Sequence, residues 1–322
     1  MVAPKVSIVI PVYNRQNLVR RAIESALAQT FSEIEVVVVD NCSSDNTWSV
    51  VQEYRSHDPR LRCYRNNRNI GCVANWLKCL EISQGQYVKI LFSDDWLEVN
   101  AIERLIYPLD GRDDTGLVYS SVLGHICNER PRIWYQRRKE GLIESVDFLL
   151  GFAGWGNVPV SPSAVLLRRQ DALSALDLEI PNKSCIDFNS YGIGNDALIL
   201  WRCCEKYPYV YHIQEPLVHF AEPDKDEPGF TMSLVRSGRG DTVSLGYKNA
   251  FAYFLSTSSL SWQVKKVLHT AMFVTHLPRR PWLLVGEIKR YSCLFPENYK
   301  WWNLALLEPR IWKIMVKLLG RV

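Results

Sequence analysis

The sequence predicts an α/β fold: a mostly parallel sheet with helices on both faces, followed by a C-terminal helical extension. Three observations carry this. Apolar, β-branched runs alternate with helically spaced segments four times within about the first 120 residues, the pattern of a parallel sheet with crossover helices. Each main run ends in polar residues: Asn14 after the first, Asp40 on the second, Asp94 and Asp95 after the fourth. Ligands of such sheets bind beyond the carboxyl ends of the strands. Finally, 47% of the 322 residues are hydrophobic, enough for one large or two modest cores.

The elements follow in order. KVSIVI (5–10) is a buried strand that Pro11 ends. In QNLVRRAIESALAQT, Leu18, Ala22 and Ala26, and Val19, Ile23 and Leu27, recur at helical spacing. IEVVVVD (34–40) is a second buried strand. Ser44 or Asp45 caps the helix NTWSVVQEYRS, since short oxygen side chains accept from free helix-start amides. LRCYR is a short strand, and a helix begins near Gly71. YVKILF (87–92) is a strand running into Ser93-Asp94-Asp95. A helix near 99–107 and a strand over 116–121 complete the first unit. Residues 122–235 are less regular, with the Gly/Pro-rich GFAGWGNVPVSPS, a strand SAVLLRR, a helix around 195–206 and a strand near 209–213. From about 236 the pattern is helical, broken by prolines.

Composition excludes several classes. With 22% charged and 11% aromatic residues, disorder is excluded as the main state. No run of eighteen apolar residues marks a membrane-spanning helix. The first apolar stretch, broken by Ser7 and stopped at Pro11, is too short for a signal-peptide core, so a cytoplasmic location is expected. Nine scattered cysteines without CxxC suggest neither a disulfide framework nor structural zinc. A dinucleotide oxidoreductase would need G-x-G-x-x-G after the first strand, where this chain reads PVYNRQ. No nucleic-acid-binding motif accompanies the basic tail.

Charge is split unevenly. Residues 236–322 hold 14 Lys and Arg against 4 Asp and Glu, while the rest of the chain is net negative. Five of eleven tryptophans, Trp262, Trp282, Trp301, Trp302 and Trp312, fall in this tail, and Ile311, Ile314, Met315, Leu318 and Leu319 make an apolar stripe. Basic residues beside such a stripe suit an anionic membrane surface. Packing on the body or on another subunit is the other reading.

Asp94 and Asp95 are the strongest chemical signal. Adjacent carboxylates at a strand end repel and lose hydration, and a bound Mg2+ or Mn2+ relieves both costs. A solvated pair at a helix start is the plain alternative. The pair stands in a set: VSIVIPVYN, VVVVDNCSSDNT, NIGCVAN and KILFSDDW occur in order, each at a strand-to-helix junction. In this combination the chain resembles the family 2 glycosyltransferases, over residues 5–120 most clearly and to about 235 more loosely.

The resemblance implies a GT-A fold, Rossmann-like, in three parts. Residues 1–121 form the nucleotide-sugar-binding half, 122–235 the acceptor half with the catalytic base, and 236–322 the basic helical tail. It implies that Pro11, Tyr13 and Asn14 pack around the nucleotide and that Asp40 contacts its base. The family's usual Asp-Asp-Gly-Ser reads Asp40-Asn41-Cys42-Ser43 here. Asn69 and Gly71 match an Asn-x-Gly turn. Asp95 becomes the metal ligand, with Asp94 nearer the ribose, although Phe92 stands where many relatives have a further Asp. Asp196 matches the catalytic base of a Glu-Asp element, with Asn195 in place of Glu; an N-cap role is the alternative. His219 is a loose match to a metal-completing histidine, and a structural histidine fits equally. Asp187 is a reserve base; Asp147 and Asp171 start helices. Trp155 and Asn157 fall near the acceptor.

The expected activity is therefore metal-dependent, inverting transfer of a sugar from a nucleotide-diphosphate donor, UDP foremost, to a glycan or lipid-linked acceptor. It belongs to polysaccharide, lipopolysaccharide or glycoprotein glycan assembly at the inner face of the membrane. The alternative is a family member that binds nucleotide-sugar without catalysis.

Overall fold

The computed structural model describes residues 3–125, 129–155, 157–182, 184–221 and 240–275, with 234, 237 and 238. The first half is the expected parallel unit. Strands β1 (Val6–Val12) and β2 (Ile34–Asp40) are buried along their whole length. Unbroken Val/Ile runs suit a strand covered on both faces. β1 lies between β2 and β4 (Tyr87–Ile90), and β3 (Leu61–Arg65) flanks β2, all parallel. Parallel neighbours need crossovers, supplied by α1 (Val19–Leu27), α2 (Thr47–Arg55) and α3 (Cys72–Ile82). α1 buries Val19, Ala22, Ile23 and Ala26, the stripe its spacing predicts. Asp45 accepts the Thr47 amide at 3.0 Å just ahead of α2, whose N-cap position is Asn46, without a side-chain bond of its own.

The chain continues through β5 (Trp96–Leu97), α4 (Ala101–Ile106), β6 (Thr115–His125), β7 (Arg132–Trp134), β8 (Gly141–Glu144) and α5 (Ser145–Leu150). α5 widens into a π-type turn over Gly151–Trp155. Then come β9 (Val165–Arg168), α6 (Arg169–Ala175), α7 (Phe188–Tyr191), α8 (Asn195–Lys206), β10 (Tyr209–Ala221), α9 (Gly240–Thr257) and α10 (Trp262–Thr275).

Strand order is β3-β2-β1-β4-β9-β6-β10-β5, with β7 on β6 and β8 on β10. β9 runs antiparallel to both β4 and β6, so the sheet is mixed beyond β4. Periodicity identifies a strand but not its neighbour or direction. β6 and β10 pair in parallel and outrun their apolar cores, which carries His125 and His219 to the end of the sheet where β4 delivers Asp94 and Asp95.

The segment after 236 contributes directly to this body. Phe251 and Phe254 of α9 pack on Trp201 of α8, with ring centroids 4.9 and 5.8 Å away. Residues 276–322, including Trp282, Trp301, Trp302, Trp312 and the basic apolar stripe, lie outside the described residues. Among the described residues no helix is long and apolar enough to cross a membrane.

Candidate active site

The first wall of the site is built by the loops after β1 and β2. Pro11 is buried in β1, and Tyr13 stands 44% exposed at the rim. Asn14 takes φ +50, within the left-handed region that Asn tolerates. Its backbone amide donates to Ser43 Oγ at 2.9 Å, and its Oδ1 accepts from the Ser44 amide at 2.9 Å. The two loops are thus stitched together. Asp40 is wholly buried; it accepts from the Ser43 hydroxyl and amide and pairs with Arg65 Nε at 3.0 Å. Cys42, in the glycine position of the family pattern, holds φ +63. The loop keeps the backbone shape a glycine would adopt freely.

Asn41, where the family has a second acid, is an organiser. Its Nδ2 donates to Asn69 Oδ1 at 2.9 Å and Gly71 O at 3.1 Å, and its Oδ1 accepts from Asn66 Nδ2 and the Ile70 amide, both at 3.0 Å. An asparagine can do this because it both donates and accepts, where a carboxylate only accepts. Gly71 has φ +94, and an added Cβ would lie 2.5 Å from the Asn189 carboxamide, so both conformation and space demand glycine. Asn189 accepts the Ala74 amide at 2.9 Å and donates to Ile70 O at 3.1 Å, capping α3 from a distant part of the chain. Arg68, Asn69, Ile70, Gly71, Asn189 and Ser190 line an open cavity of about 520 Å³.

Asp94 and Asp95 follow β4. Arg21 donates to the Asp94 carbonyl at 3.1 Å and stacks on Trp96 at 3.6 Å from the ring centre. Burial raises the Asp94 carboxyl above its ordinary range, opposed by Arg15 and Arg21. Burial and then the Asp94 charge push Asp95, 6% exposed, well above it. The Ser163 side chain and the Ala221 backbone hydrogen-bond to the Asp95 carboxyl. Ser163 Oγ also accepts the Phe92 amide at 3.0 Å. Beneath it, Lys89 is fully buried and donates to the Ser163 carbonyl; burial lowers its ammonium to about 7.

Asp196 opens α8. Oδ1 accepts the amides of Gly194 at 2.9 Å and Ala197 at 2.8 Å, and Oδ2 accepts the Tyr247 hydroxyl at 2.6 Å. Burial raises its carboxyl to about 7 against these three donors. Tyr135, at φ +61 after β7, feels the charge of both Asp196 and Asp95. Burial is the larger cause and lifts the Tyr135 hydroxyl to about 12.

The other predicted residues make the following contacts. His219 Nε2 bonds Glu98 at 2.7 Å, its Nδ1 bonds His125 at 2.9 Å, and its ring stacks on Trp96. Both ring nitrogens therefore have partners other than Asp95. Asp187 caps α7 through the Ser190 amide at 2.8 Å, and that bond holds its carboxyl below the usual range. Asp147 and Asp171 lie in the first turns of α5 and α6 as expected. Asp171 also receives Lys206 and Tyr207, tying α6 to α8. Asn195 is buried, and its carbonyl accepts the Asp177 amide at 3.2 Å. Trp155 ends the π-type turn and Asn157 is exposed beyond it.

The family model for Glycosyl transferase family 2 matches residues 7–176, more than half of the chain. The chain belongs to that family. Among curated family relatives, the UDP-Glc:alpha-D-GlcNAc-diphosphoundecaprenol beta-1,3-glucosyltransferase WfaP of Escherichia coli is 34% identical over 32% of this chain and 40% of its own length. This chain likewise covers only 14–34% of the length of three further curated relatives. Among solved structures, TarS 1–349 of S. aureus in complex with UDP-GlcNAc superposes with TM-score 0.64, 16% identity, and coverage of 84% of this chain and 72% of that one. Mannosyltransferase PcManGT from Pyrobaculum calidifontis, in complex with GDP-Man and Mn2+, gives 0.56 at 18% identity, covering 98% and 85%. These likenesses establish the GT-A fold of this family 2 member.

A divalent cation suits the donor set. Mg2+ and Mn2+ take hard oxygens and need only one or two carboxylates when substrate phosphates and water complete the shell. Asp94 and Asp95 supply two carboxylates whose mutual repulsion a cation relieves. Among the described residues, no group of three or more His, Cys, Asp and Glu side chains is placed to hold a metal.

Several residues around the candidate site escaped the sequence reading. Ser163 and Lys89 looked like ordinary members of a loop and a strand. Asn189, Tyr135 and Tyr247 reach the site from segments that no local pattern ties to it.

Proposed function

We propose that this chain transfers a sugar from a nucleotide-diphosphate donor, UDP-linked, to a glycan or lipid-linked acceptor by a single inverting displacement, in cell-surface glycan assembly. The observation that carries the reading is the presence of two unlike acid centres: a doubled carboxylate, Asp94 and buried Asp95, after β4, and the lone Asp196 carboxyl opening α8, held by three donors. The chemistry needs this division. One side of the anomeric carbon must stabilise a leaving diphosphate, and the other must accept the acceptor hydroxyl's proton.

In this reading the Asn14, Asp40 and Asn69–Gly71 loops hold the nucleotide, and Asp94 lies against the ribose. Asp95, with Asp94, holds Mn2+ or Mg2+, which supplies positive charge for the departing diphosphate when bound. Ser163 and the Ala221 amide orient Asp95. Asp196 takes the proton from the acceptor oxygen as that oxygen attacks. A carboxyl near 7 suits a base working at neutral pH. Trp155 and Asn157 lie on the acceptor side. The names of WfaP and TarS motivate a UDP-sugar donor, and that of WfaP a diphosphoundecaprenol-linked acceptor.

A thermal-shift screen of UDP-glucose, UDP-N-acetylglucosamine and GDP-mannose, with and without Mn2+, tests the donor, since a bound ligand stabilises by mass action. The reading expects a UDP-sugar to raise the melting temperature with Mn2+ present, and Asp95→Ala to abolish that gain. An equal shift in excess chelator would contradict it.

A further inference from the structure

We propose that helix α9 completes the catalytic site, with Tyr247 as a positioning residue that orients the Asp196 carboxylate and sets the pH range in which it works. The proposal rests on Asp196 being the base. Tyr247 lies beyond residue 176, where the family match ends.

The geometry is specific. Three donors fix the plane of the Asp196 carboxylate: the Gly194 and Ala197 amides on Oδ1 and the Tyr247 hydroxyl on Oδ2. Local backbone supplies the first two; the third comes from 51 residues downstream. Tyr247, Phe251 and Phe254 recur at i, i+4 and i+7 and share one face of α9. Phe251 and Phe254 anchor that face on Trp201, and Tyr247 extends it to Asp196. The approach of α9 is close: a Cβ added at Gly194, φ +86, would lie 2.5 Å from Ala250 Cβ. Gly194 thus lets the helix approach the turn that presents the base.

The consequence is electrostatic. Among the described residues, three titratable groups feel the Asp196 charge: Tyr247 from α9, Cys72 from α3 and Tyr135 after β7. Burial drives Cys72 and Tyr135 up to about 12, so both are neutral at pH 7. Tyr247 is the one among them whose hydrogen bond favours the ionised carboxylate. Losing a hydrogen bond to a charged group corresponds to a pKa rise of about one to two units. Activity that requires ionised Asp196 then moves its acid limb to higher pH.

The test is a 13C carboxyl titration of the full-length protein carrying labelled aspartate, with the Asp196 signal assigned by its absence in Asp196→Asn. Tyr247→Phe is expected to raise the Asp196 midpoint from about 7 by about one pH unit or more. Tyr253→Phe is the control, since Tyr253 on the same helix donates to Asp177 at 2.8 Å, and it should leave the midpoint unchanged. The same variants are then followed by UDP release from the UDP-sugar selected by the donor screen, across pH 5.5 to 10. Tyr247→Phe should lose kcat near pH 7, recover it at higher pH, and keep its donor KM; a structural lesion gives no such recovery. An unmoved midpoint and acid limb in Tyr247→Phe, with Asp196→Asn inactive, overturns the tyrosine's role and leaves the base in place. Asp196→Asn at parental turnover removes the base, and the proposal with it.

Discussion

In Asp196 the catalytic role we propose coincides with a cost to stability. Its carboxyl is raised to about 7 because the cleft desolvates it more than its three donors compensate. Turnover that needs the carboxylate should rise with pH through about 7. Asp196→Asn is expected to lower turnover by about a hundredfold or more while UDP binding, followed by calorimetry, persists. Stability follows the same proton. The folded pKa lies above the unfolded value of about 3.9, so the protonated group's stabilising contribution is complete below that value and lost as pH rises to about 7. Asn stays neutral throughout. The variant should therefore gain melting temperature over the parent between pH 5 and 8, as differential scanning fluorimetry would show. Cys42 gives a simpler case. At φ +63 it carries left-handed strain of about 1–2 kcal/mol, partly offset in a glycine variant by the flexibility glycine adds to the unfolded chain. Cys42→Gly should stabilise by about 0.5–1 kcal/mol in urea melts.

Among the elements, the turn before α3 depends most on distant support. Gly71 leaves α3 without a side-chain cap of its own, and Asn189 of α7 supplies one through the Ala74 amide. Asn189→Ala should cost about 1 kcal/mol, the ordinary worth of a cap. Because the same residue lines the cavity beside Asn69, UDP affinity should fall as well; unchanged affinity would separate the turn from the donor site. The parallel strands β1, β2 and β4 and helix α8 were legible because long apolar runs and a 3.6-residue stripe leave few alternatives. β9 was legible as a strand but not as the antiparallel bridge between β4 and β6. Pairing depends on edges that the rest of the chain leaves open.

Across the whole molecule, the acidic body and basic tail pose separate questions. α9 belongs to the body, as Phe251 and Phe254 on Trp201 establish. Phe251→Ala should cost about 3–5 kcal/mol, the usual penalty for removing a fully buried ring, read as the shift of the urea midpoint. Residues 276–322 carry nine Lys and Arg against three Asp and Glu, with four tryptophans. We hold the membrane-surface role of this stretch as a proposal. Full-length protein should sediment with anionic vesicles at low salt, and release as salt rises, since screening shortens such attraction to about 10 Å at 0.1 M. A version ending at 275 should stay in the supernatant.

By itself, the sequence determined the alternating α/β frame, the loops after the first strands, the Asp94-Asp95 pair and the lone Asp196 at a helix start. These are local signals: apolar runs make buried strands, and acids at strand ends or helix starts announce themselves by position. It also supplied the family likeness, through the order of four short motifs. Tertiary structure decided which groups complete the site. It turned His219 toward Glu98 and His125, gave Asp187 to a helix cap, set Ser163 against Asp95, and brought Tyr247 to Asp196. The physical reason is separation along the chain. Tyr247 and Asp196 are 51 residues apart and the Asn189–Ala74 bond spans 115, so their meeting depends on how the helices pack.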